Sequence, residues 1–192
     1  MTMRPVLAAA VAALALSACS FGPKTPPTLM RLNPEAQPSA SSRSAPADQA
    51  ITVVLPVLVE ELNTPRVPVR SGETAVAYLK DAQWVDVPST LFARLLSDTI
   101  ASRTGRVVLD PKQFTFDPGQ RLTGTLRAFG LDADTSEAVV VYDAAVQRGA
   151  DAIETRRFEA RVPVAAIDAA SAPAALNRAA NQVASEVAAW IG

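Results

Sequence analysis

The 192-residue sequence predicts an α+β domain in which an antiparallel β-sheet (a meander plus an N-terminal strand) carries two long helices packed on one face. Three observations support this prediction. Three alternating segments follow one another with short joins between residues 121 and 164. Apolar residues at helical spacing occur over 88–103 and again from 173 to the end. A β-branched run precedes both helical segments.

The N-terminal strand is predicted in the run "ITVVLPVLV" (51–59), which is β-branched and of strand length. Pro56 lies inside this run and predicts an edge position, a bulge or an early end. A hairpin is predicted over 63–79, because Ser71-Gly72 is a turn signal between two short extended pieces. Further upstream, residues 28–32 alternate weakly and could add a short edge strand.

The two helices carry their own start and stop signals. Pro88 suits the first position of helix one, and Gly105 is a natural residue just past its end. Pro173 suits the first turn of helix two, with Ser171 as a candidate N-cap. Both helices therefore have apolar stripes available for packing on a sheet.

The meander follows a short predicted strand at 106–110 and occupies 121–134, 137–148 and 153–164. In its last strand Phe158 and Ala160 alternate with Arg157 and Glu159, which predicts one buried face and one solvated face. In its first strand the apolar residues change parity, which predicts a bulge near residues 128–130.

Cys19 is the only cysteine of the chain and ends an uncharged apolar run, "PVLAAAVAALALSA" at 5–18. The run is short for a membrane span and fits a secretory signal; a buried N-terminal helix is the alternative. Leu16 stands three residues before Cys19, and the segment resembles a bacterial lipobox. That resemblance implies cleavage between Ala18 and Cys19 and acylation of Cys19 with fatty acids such as palmitate. In enterobacteria-like lipoproteins an aspartate at the next position retains the protein at the inner membrane, so the resemblance implies the outer membrane for Ser20.

The chain therefore divides into three predicted parts. Residues 1–18 form a lipoprotein signal peptide. Residues 19–50 form a lipidated cysteine with a flexible Pro/Ser/Ala-rich tether, because so polar a segment buries too little apolar area to order itself. Residues 51–192 form a single α+β domain.

Composition argues against several function classes. The chain has 18 Lys and Arg against 19 Asp and Glu, without the clustered basic charge that nucleic-acid binding requires. It has no histidine, no cysteine besides Cys19, and no phosphate-binding glycine pattern. We therefore predict no catalytic residues, no metal site, no cofactor and no enzymatic activity.

Two clusters of acidic residues leave alternatives open. Asp132, Asp134 and Glu137 could form a divalent-cation loop or a polar hairpin tip; the calcium-loop pattern with its central glycine is absent. The adjacent Glu60 and Glu61 could form an acid/base pair or be solvated, and neighbours on an extended chain point in opposite directions.

Trp84 stands just before helix one. It could pack the helix entrance onto the sheet, or it could contact a partner or lipid, since aromatic residues are enriched at interfaces.

Several stretches, in their order and spacing, resemble the ABC-type transport auxiliary lipoprotein family. They are the lipobox cysteine, "TPPTLMRL", the segment 51–100, "RLTGTLRAFGLD" and the terminal "VASEVAAWI". In that family a strand ending in proline leads to a "tPR" motif, a basic hairpin, a tyrosine and a tryptophan before the first helix. The matching positions here are Pro56, Thr64-Pro65-Arg66, Arg70, Tyr78 and Trp84. The segment "TLMRL" departs from the family, which commonly has a tyrosine before the leucine.

The resemblance implies a lipoprotein that docks the MCE (mammalian cell entry)-domain protein of an ABC transport system, which moves phospholipids or other apolar molecules between membranes. It implies a location on the periplasmic face of the outer membrane, a bilayer contact through acylated Cys19, and a homo-oligomer as in some relatives. Trp84, Tyr78, Arg66 and Arg70 are its candidate partner contacts. The alternative function is activation of an envelope enzyme such as a peptidoglycan synthase.

Overall fold

The computed structural model describes residues 28–37, 44–46, 49–111, 119–148 and 152–192. The predicted signal peptide and Cys19 lie outside these residues. The helices are α1 (Pro88–Thr104) and α2 (Ala172–Ile191), with a short 3-10 helix at Glu60–Leu62. The strands are β1 (Thr28–Met30), β2 (Ile51–Val53), β3 (Val57–Leu58), β4 (Arg66–Ser71), β5 (Ala75–Trp84), β6 (Val108–Leu109), β7 (Gln120–Asp132), β8 (Glu137–Arg148) and β9 (Ala152–Pro163).

Strand β7 organises the sheet. On one side it begins the antiparallel meander β7–β8–β9. On its other side the short strands β2, β3 and β4 pair with it one after another, all parallel. Strands β5 and β1 continue the sheet beyond β4, and β6 continues it beyond β2. The α+β class is confirmed, with a mixed sheet in place of the purely antiparallel one predicted.

The run at 51–59 is divided by Pro56. Strand β2 ends at Val53 and β3 begins at Val57, and both pair with β7 in the same direction. Proline has no backbone N–H to give to a ladder, so the strand stops and resumes after it. The predicted early end is confirmed. Short parallel pairs of this kind leave no sequence signal of their direction.

Both helices pack on the same face of the sheet, as predicted. Gly105 ends α1 in the left-handed region at φ 72°, a conformation that glycine adopts without strain. Phe92 of α1 packs on Phe129 of β7 and Tyr142 of β8, and its ring centroid lies 6.1 and 5.3 Å from theirs. Fully buried alanines of α2 allow that helix to approach the sheet closely. Ser171 makes no side-chain cap at the start of α2.

The predicted bulge in β7 falls at Arg127, between paired residues Leu126 and Ala128. One extra residue reverses the side-chain alternation of the strand. Leu126 before it and Phe129 after it are therefore both buried against the helices. The bulge explains how β7 keeps an apolar core face across a change of parity.

Neither helix among the described residues is long and apolar enough to cross a membrane. The domain also includes part of the segment that the sequence assigns to the tether. Thr28–Met30 form a strand, which confirms the short edge strand suggested by the pattern at 28–32, and Met30 is 3% exposed.

Candidate functional site

The face of the sheet that points away from both helices is called here the open face. Side chains on paired residues of neighbouring strands lie on the same face, so the registers assign its members. Arg70 pairs with Asp132, Asp143 with Arg157, and Val139 with Arg161. Where β4, β7, β8 and β9 lie side by side, this face is dominated by arginines and carboxylates. It confirms the prediction that the meander has one solvated face.

Three of the four predicted contact residues meet on this face, around Glu61. The guanidinium of Arg66 lies 4.1 Å from the ring centroid of Tyr78. The Tyr78 hydroxyl donates to the backbone carbonyl of Glu61 over 3.3 Å. The Arg70 Nε donates to the Glu61 carboxylate over 3.0 Å, and its Nη2 also reaches that carboxylate. We call Glu61, Arg66, Arg70 and Tyr78 the hairpin cluster.

The hairpin cluster is built by local sequence. Arg66 and Arg70 stand at even spacing on β4, which places both on one side of the strand. Tyr78 is paired with Pro68, between them on β4, so its ring falls beside Arg66. The sequence pattern allows Glu61 to be solvated or part of an acid/base pair, and it carries no sign of the contact with Arg70. The 3-10 helix directly before β4 is what brings Glu61 into reach.

A ladder of ion pairs continues the open face across the meander. Arg127 and Arg157 both donate to the carboxylate of Asp143, over 3.0 and 2.5 Å. Arg161 donates to Glu159 over 2.7 Å and reaches Glu137 over 3.4 Å. The three arginine side chains remain 45–62% exposed, so their other N–H groups face solvent. We call this set the arginine ladder.

The ladder fixes the charge of its central carboxylate. The hydrogen bonds from Arg157 and Arg127, with the charges of both guanidinium groups, lower the pKa of Asp143 to about 2. Asp143 is therefore ionised at neutral and mildly acidic pH. The open face presents alternating fixed charges rather than a field of one sign.

Trp84, the fourth predicted contact residue, lies elsewhere. Its side chain is 1% exposed and packs against Phe129, with ring centroids 5.1 Å apart. Its indole Nε1 is buried and has no hydrogen-bond partner among the described residues. In this arrangement the ring offers no surface to a partner. Its position is that of a core residue at the entrance to α1.

The acidic turn between β7 and β8 ties two hairpins together. Asp132 Oδ1 accepts from the backbone N–H groups of Asp134 and Thr135, over 3.0 and 3.1 Å. Both hydrogen bonds lower the pKa of Asp132, and the bond from Thr135 has the larger effect. Asp134 Oδ2 accepts from the backbone N–H of Gly72 over 2.6 Å. No group of three metal-ligating side chains occurs among the described residues, and these carboxylates act as turn acceptors.

Two concave regions lie beside the hairpin. A cavity of about 50 Å³ lies between Arg70 and Arg161 on the open face, which has room for water but not for an organic ligand. An open groove of about 530 Å³ lies on the opposite side of the hairpin. Val69 and Ala77 form one of its walls, and the loop at 167–170 forms the other. It leaves apolar sheet surface uncovered next to the hairpin cluster.

The architecture, a mixed sheet with two helices on one face, is shared with solved structures. The crystal structure of protein XCC0632 from Xanthomonas campestris matches with a TM-score of 0.67 and 19% identity, over 84% of this chain and 93% of that one. The crystal structure of an uncharacterized protein matches with a TM-score of 0.69 and 13% identity, over 86% and 98%. A search of curated proteins finds no match.

The fold defines the class of protein, a small α+β domain in which two helices pack on one face of a mixed sheet. The family model described as "ABC-type transport auxiliary lipoprotein component" matches residues 31–188. The chain belongs to that family. The match begins inside the segment assigned to the tether, in agreement with the ordered residues that follow Thr28.

Proposed function

We propose that this chain is an outer-membrane lipoprotein, anchored through acylated Cys19 after cleavage at Ala18, which docks the MCE-domain protein of an ABC transport system. In this role it is a non-enzymatic component that holds the far end of the transport assembly. It thereby aids the passage of phospholipids or other apolar molecules between the two membranes. Self-association into a homo-oligomer belongs to the same proposal.

One observation carries the docking role. The hairpin cluster gathers Arg66, Arg70 and Tyr78 on an exposed sheet face; Glu61 orients Arg70 and Tyr78, and the Tyr78 ring orients Arg66. Arginine and tyrosine are the residue types enriched at protein interfaces, because each combines apolar contact area with directional hydrogen bonding. Membership of the transport auxiliary family makes a transport subunit the appropriate partner.

The docking role is tested by affinity purification of the full-length chain from intact envelopes. We expect an MCE-domain protein, with its permease and ATPase, to be retained by the wild type. The variant Arg66→Ala/Arg70→Ala should lose most of that retention. Arg94→Ala/Arg178→Ala, which changes two exposed arginines on the helices, is the matched control and should retain it. Recovery of no transport subunit with the wild type would end this proposal.

The anchor is tested separately. Cys19→Ser removes the only thiol that a diacylglyceryl group could modify. We expect this variant to accumulate as unprocessed precursor or to leave the membrane fraction. Normal processing and normal fractionation with outer membranes would contradict the lipoprotein assignment.

The alternative function, activation of a peptidoglycan synthase, requires the domain to reach through the cell wall. Residues 28–37 lie against the domain, so only residues 20–27 would separate it from Cys19. Such a spacer is shorter than the one the sequence predicts, and this supports the transport role over the activator role. Stimulation of a purified synthase by the domain would reverse that preference.

A further inference from the structure

The first ten described residues, 28–37, form an arm that is folded against the domain. Strand β1 pairs in parallel with the end of β5, with Thr28 opposite Ala82 and Met30 opposite Trp84. The Met30 side chain is 3% exposed, and its carbonyl accepts from the Val85 N–H over 2.8 Å. Burial of this large apolar side chain favours the docked arm over an exposed one.

A buried asparagine of α2 fastens the rest of the arm. Asn181 is 2% exposed, and its Nδ2 donates to the carbonyl of Asn33 over 2.9 Å. Its Oδ1 accepts from the backbone N–H of Glu35 over 2.9 Å. One turn earlier, Asn177 Oδ1 accepts from the backbone N–H of Asn33 over 2.8 Å. We call Asn177 and Asn181 the asparagine clamp.

The clamp is costly to open. A buried amide is stabilised only while its donor and its acceptor are both hydrogen-bonded. Without the arm, the Asn181 Nδ2 keeps only its hydrogen bond to the Asn177 carbonyl, over 2.8 Å, and the Oδ1 loses the Glu35 N–H. The arm therefore behaves as part of the domain rather than as the end of a flexible tether.

We propose that the clamped arm holds the domain directly against the bilayer in which Cys19 is anchored, with the β1 edge of the sheet toward the lipid headgroups. This inference rests on the proposed acylation of Cys19. Only residues 20–27 lie between Cys19 and Thr28, and a chain of that length spans at most about 30 Å when fully extended. An undocked tether that continued to residue 50 would reach about 100 Å.

Sheet order gives the orientation. Strands β1 and β9 are two edges of the sheet, with β5, β4, β7 and β8 between them. Neighbouring strands are about 4.8 Å apart, so the β9 edge lies about 24 Å farther from the anchor point than β1 does. The β9 edge and the part of the arginine ladder next to it are thereby turned away from the membrane.

A pair of insertions tests the arm. The full-length lipidated chain carries a donor fluorophore on Thr155→Cys, an exposed position of β9, and is bound to phosphatidylcholine vesicles that contain an acceptor lipid. A twenty-residue Gly/Ser insertion directly after Pro27 lengthens the spacer by roughly 13 Å root-mean-square. We expect it to lower energy transfer by about half. The same insertion between Ser41 and Ser42, downstream of the clamp, should leave transfer unchanged.

The outcomes separate clearly. Equal loss of transfer with both insertions means that the arm is not docked, which overturns the proposal. No loss with either insertion means that something other than the spacer sets the distance, which overturns it too. The orientation is tested with the donor on Lys80→Cys of β5, where transfer should exceed that from Thr155→Cys. Equal or reversed transfer overturns the orientation.

A lipid-free measurement keeps the test independent of the anchor. Hydrogen exchange at the Asn33 and Glu35 amides should be slow in the wild type and in the control Arg178→Ala. It should be at least tenfold faster in Asn181→Ala. Fast exchange in the wild type overturns the proposal. A chain that shows slow exchange but fails to bind vesicles contradicts the acylation of Cys19 instead, and so the two failures are distinguishable.

Discussion

The Arg66 guanidinium lies over the face of the Tyr78 ring, 4.1 Å from its centroid. The two residues are twelve positions apart and meet because β4 and β5 form an antiparallel hairpin. A cation placed over an aromatic ring gains about 0.5–1 kcal/mol at an exposed site. That energy is small for stability, but it holds two flexible side chains in one arrangement, which lowers the entropy lost when a partner binds.

Tyr78→Leu should weaken partner binding without unfolding the domain. The leucine keeps apolar bulk but loses the ring over which Arg66 is held. If the hairpin cluster is a binding hot spot, affinity for the purified MCE-domain partner should fall about tenfold, which corresponds to about 1.4 kcal/mol. Tyr78→Phe keeps the ring and should bind within about twofold of the wild type. Equal loss in both variants would mean that the hydroxyl, rather than the stacked ring, matters.

Asp143→Asn should destabilise the domain at neutral pH and have less effect in acid. The native pKa of about 2 lies below the ordinary value of about 3.9, so ionised Asp143 stabilises the fold above pH 4. That contribution is lost as the pH falls from about 4 to about 2. Urea unfolding of wild type and variant at pH 7 and pH 2.5 measures the difference in free energy.

The arginine partner supplies the control for that measurement. Arg157→Gln removes the largest cause of the lowered pKa, and it should reduce the pH dependence in the same range. A difference between wild type and Asp143→Asn that stays constant from pH 7 to pH 2.5 would show that the ion pair contributes nothing specific to stability.

Trp84 provides a test that separates packing from partner contact. Trp84→Ala should cost about 3–5 kcal/mol of unfolding free energy, because it empties a fully buried site against Phe129. Trp84→Phe should cost only about 1 kcal/mol. The lost packing is partly offset, because the change also removes a buried indole N–H that has no hydrogen-bond partner among the described residues. Thermal or urea unfolding gives both values. Loss of partner binding in a stable Trp84→Phe variant would instead support a direct contact.

Local patterns were sufficient for the helices and the meander. The alternation of Arg157 and Glu159 with Phe158 predicts which face of β9 is buried, since side chains on a strand alternate strictly. The proline and glycine punctuation of α1 likewise agrees with the structure from Pro88 to Gly105. These signals are local, because each depends on residues within one element or one turn.

Long-range relationships left no comparable signal. The parallel pairing of β2, β3 and β4 with β7 joins residues 60–70 positions apart, and three such short strands carry no mark of direction. Asn181 stands in an otherwise apolar stripe, and its two partners on the arm are 146 and 148 positions away. A polar residue in the buried face of a predicted helix was the available clue, because such a group requires a partner.

Only part of the candidate site was predictable from the sequence. Arg66, Arg70 and Tyr78 were identified through a family resemblance, and the hairpin places them together. Glu61 was not identified, because its role depends on the 3-10 helix that returns it to the hairpin. Tryptophan is a residue type common at interfaces, but the pairing of β5 with β1 and β4 places Trp84 in the core.

Gly130→Ala should disconnect the hairpin from the rest of the sheet. A Cβ at Gly130 would lie 2.3 Å from the backbone oxygen of Pro68, so β4 must move away from β7. We expect a loss of about 1–3 kcal/mol in unfolding free energy, typical of overpacking. Partner affinity should fall by more than that stability loss explains, because Arg66 and Arg70 move with β4. Thr125→Ala, on the same strand, is the control and should change stability by only about 0.5 kcal/mol. Normal partner affinity in folded Gly130→Ala would show that the position of the hairpin cluster relative to the arginine ladder is unimportant for docking.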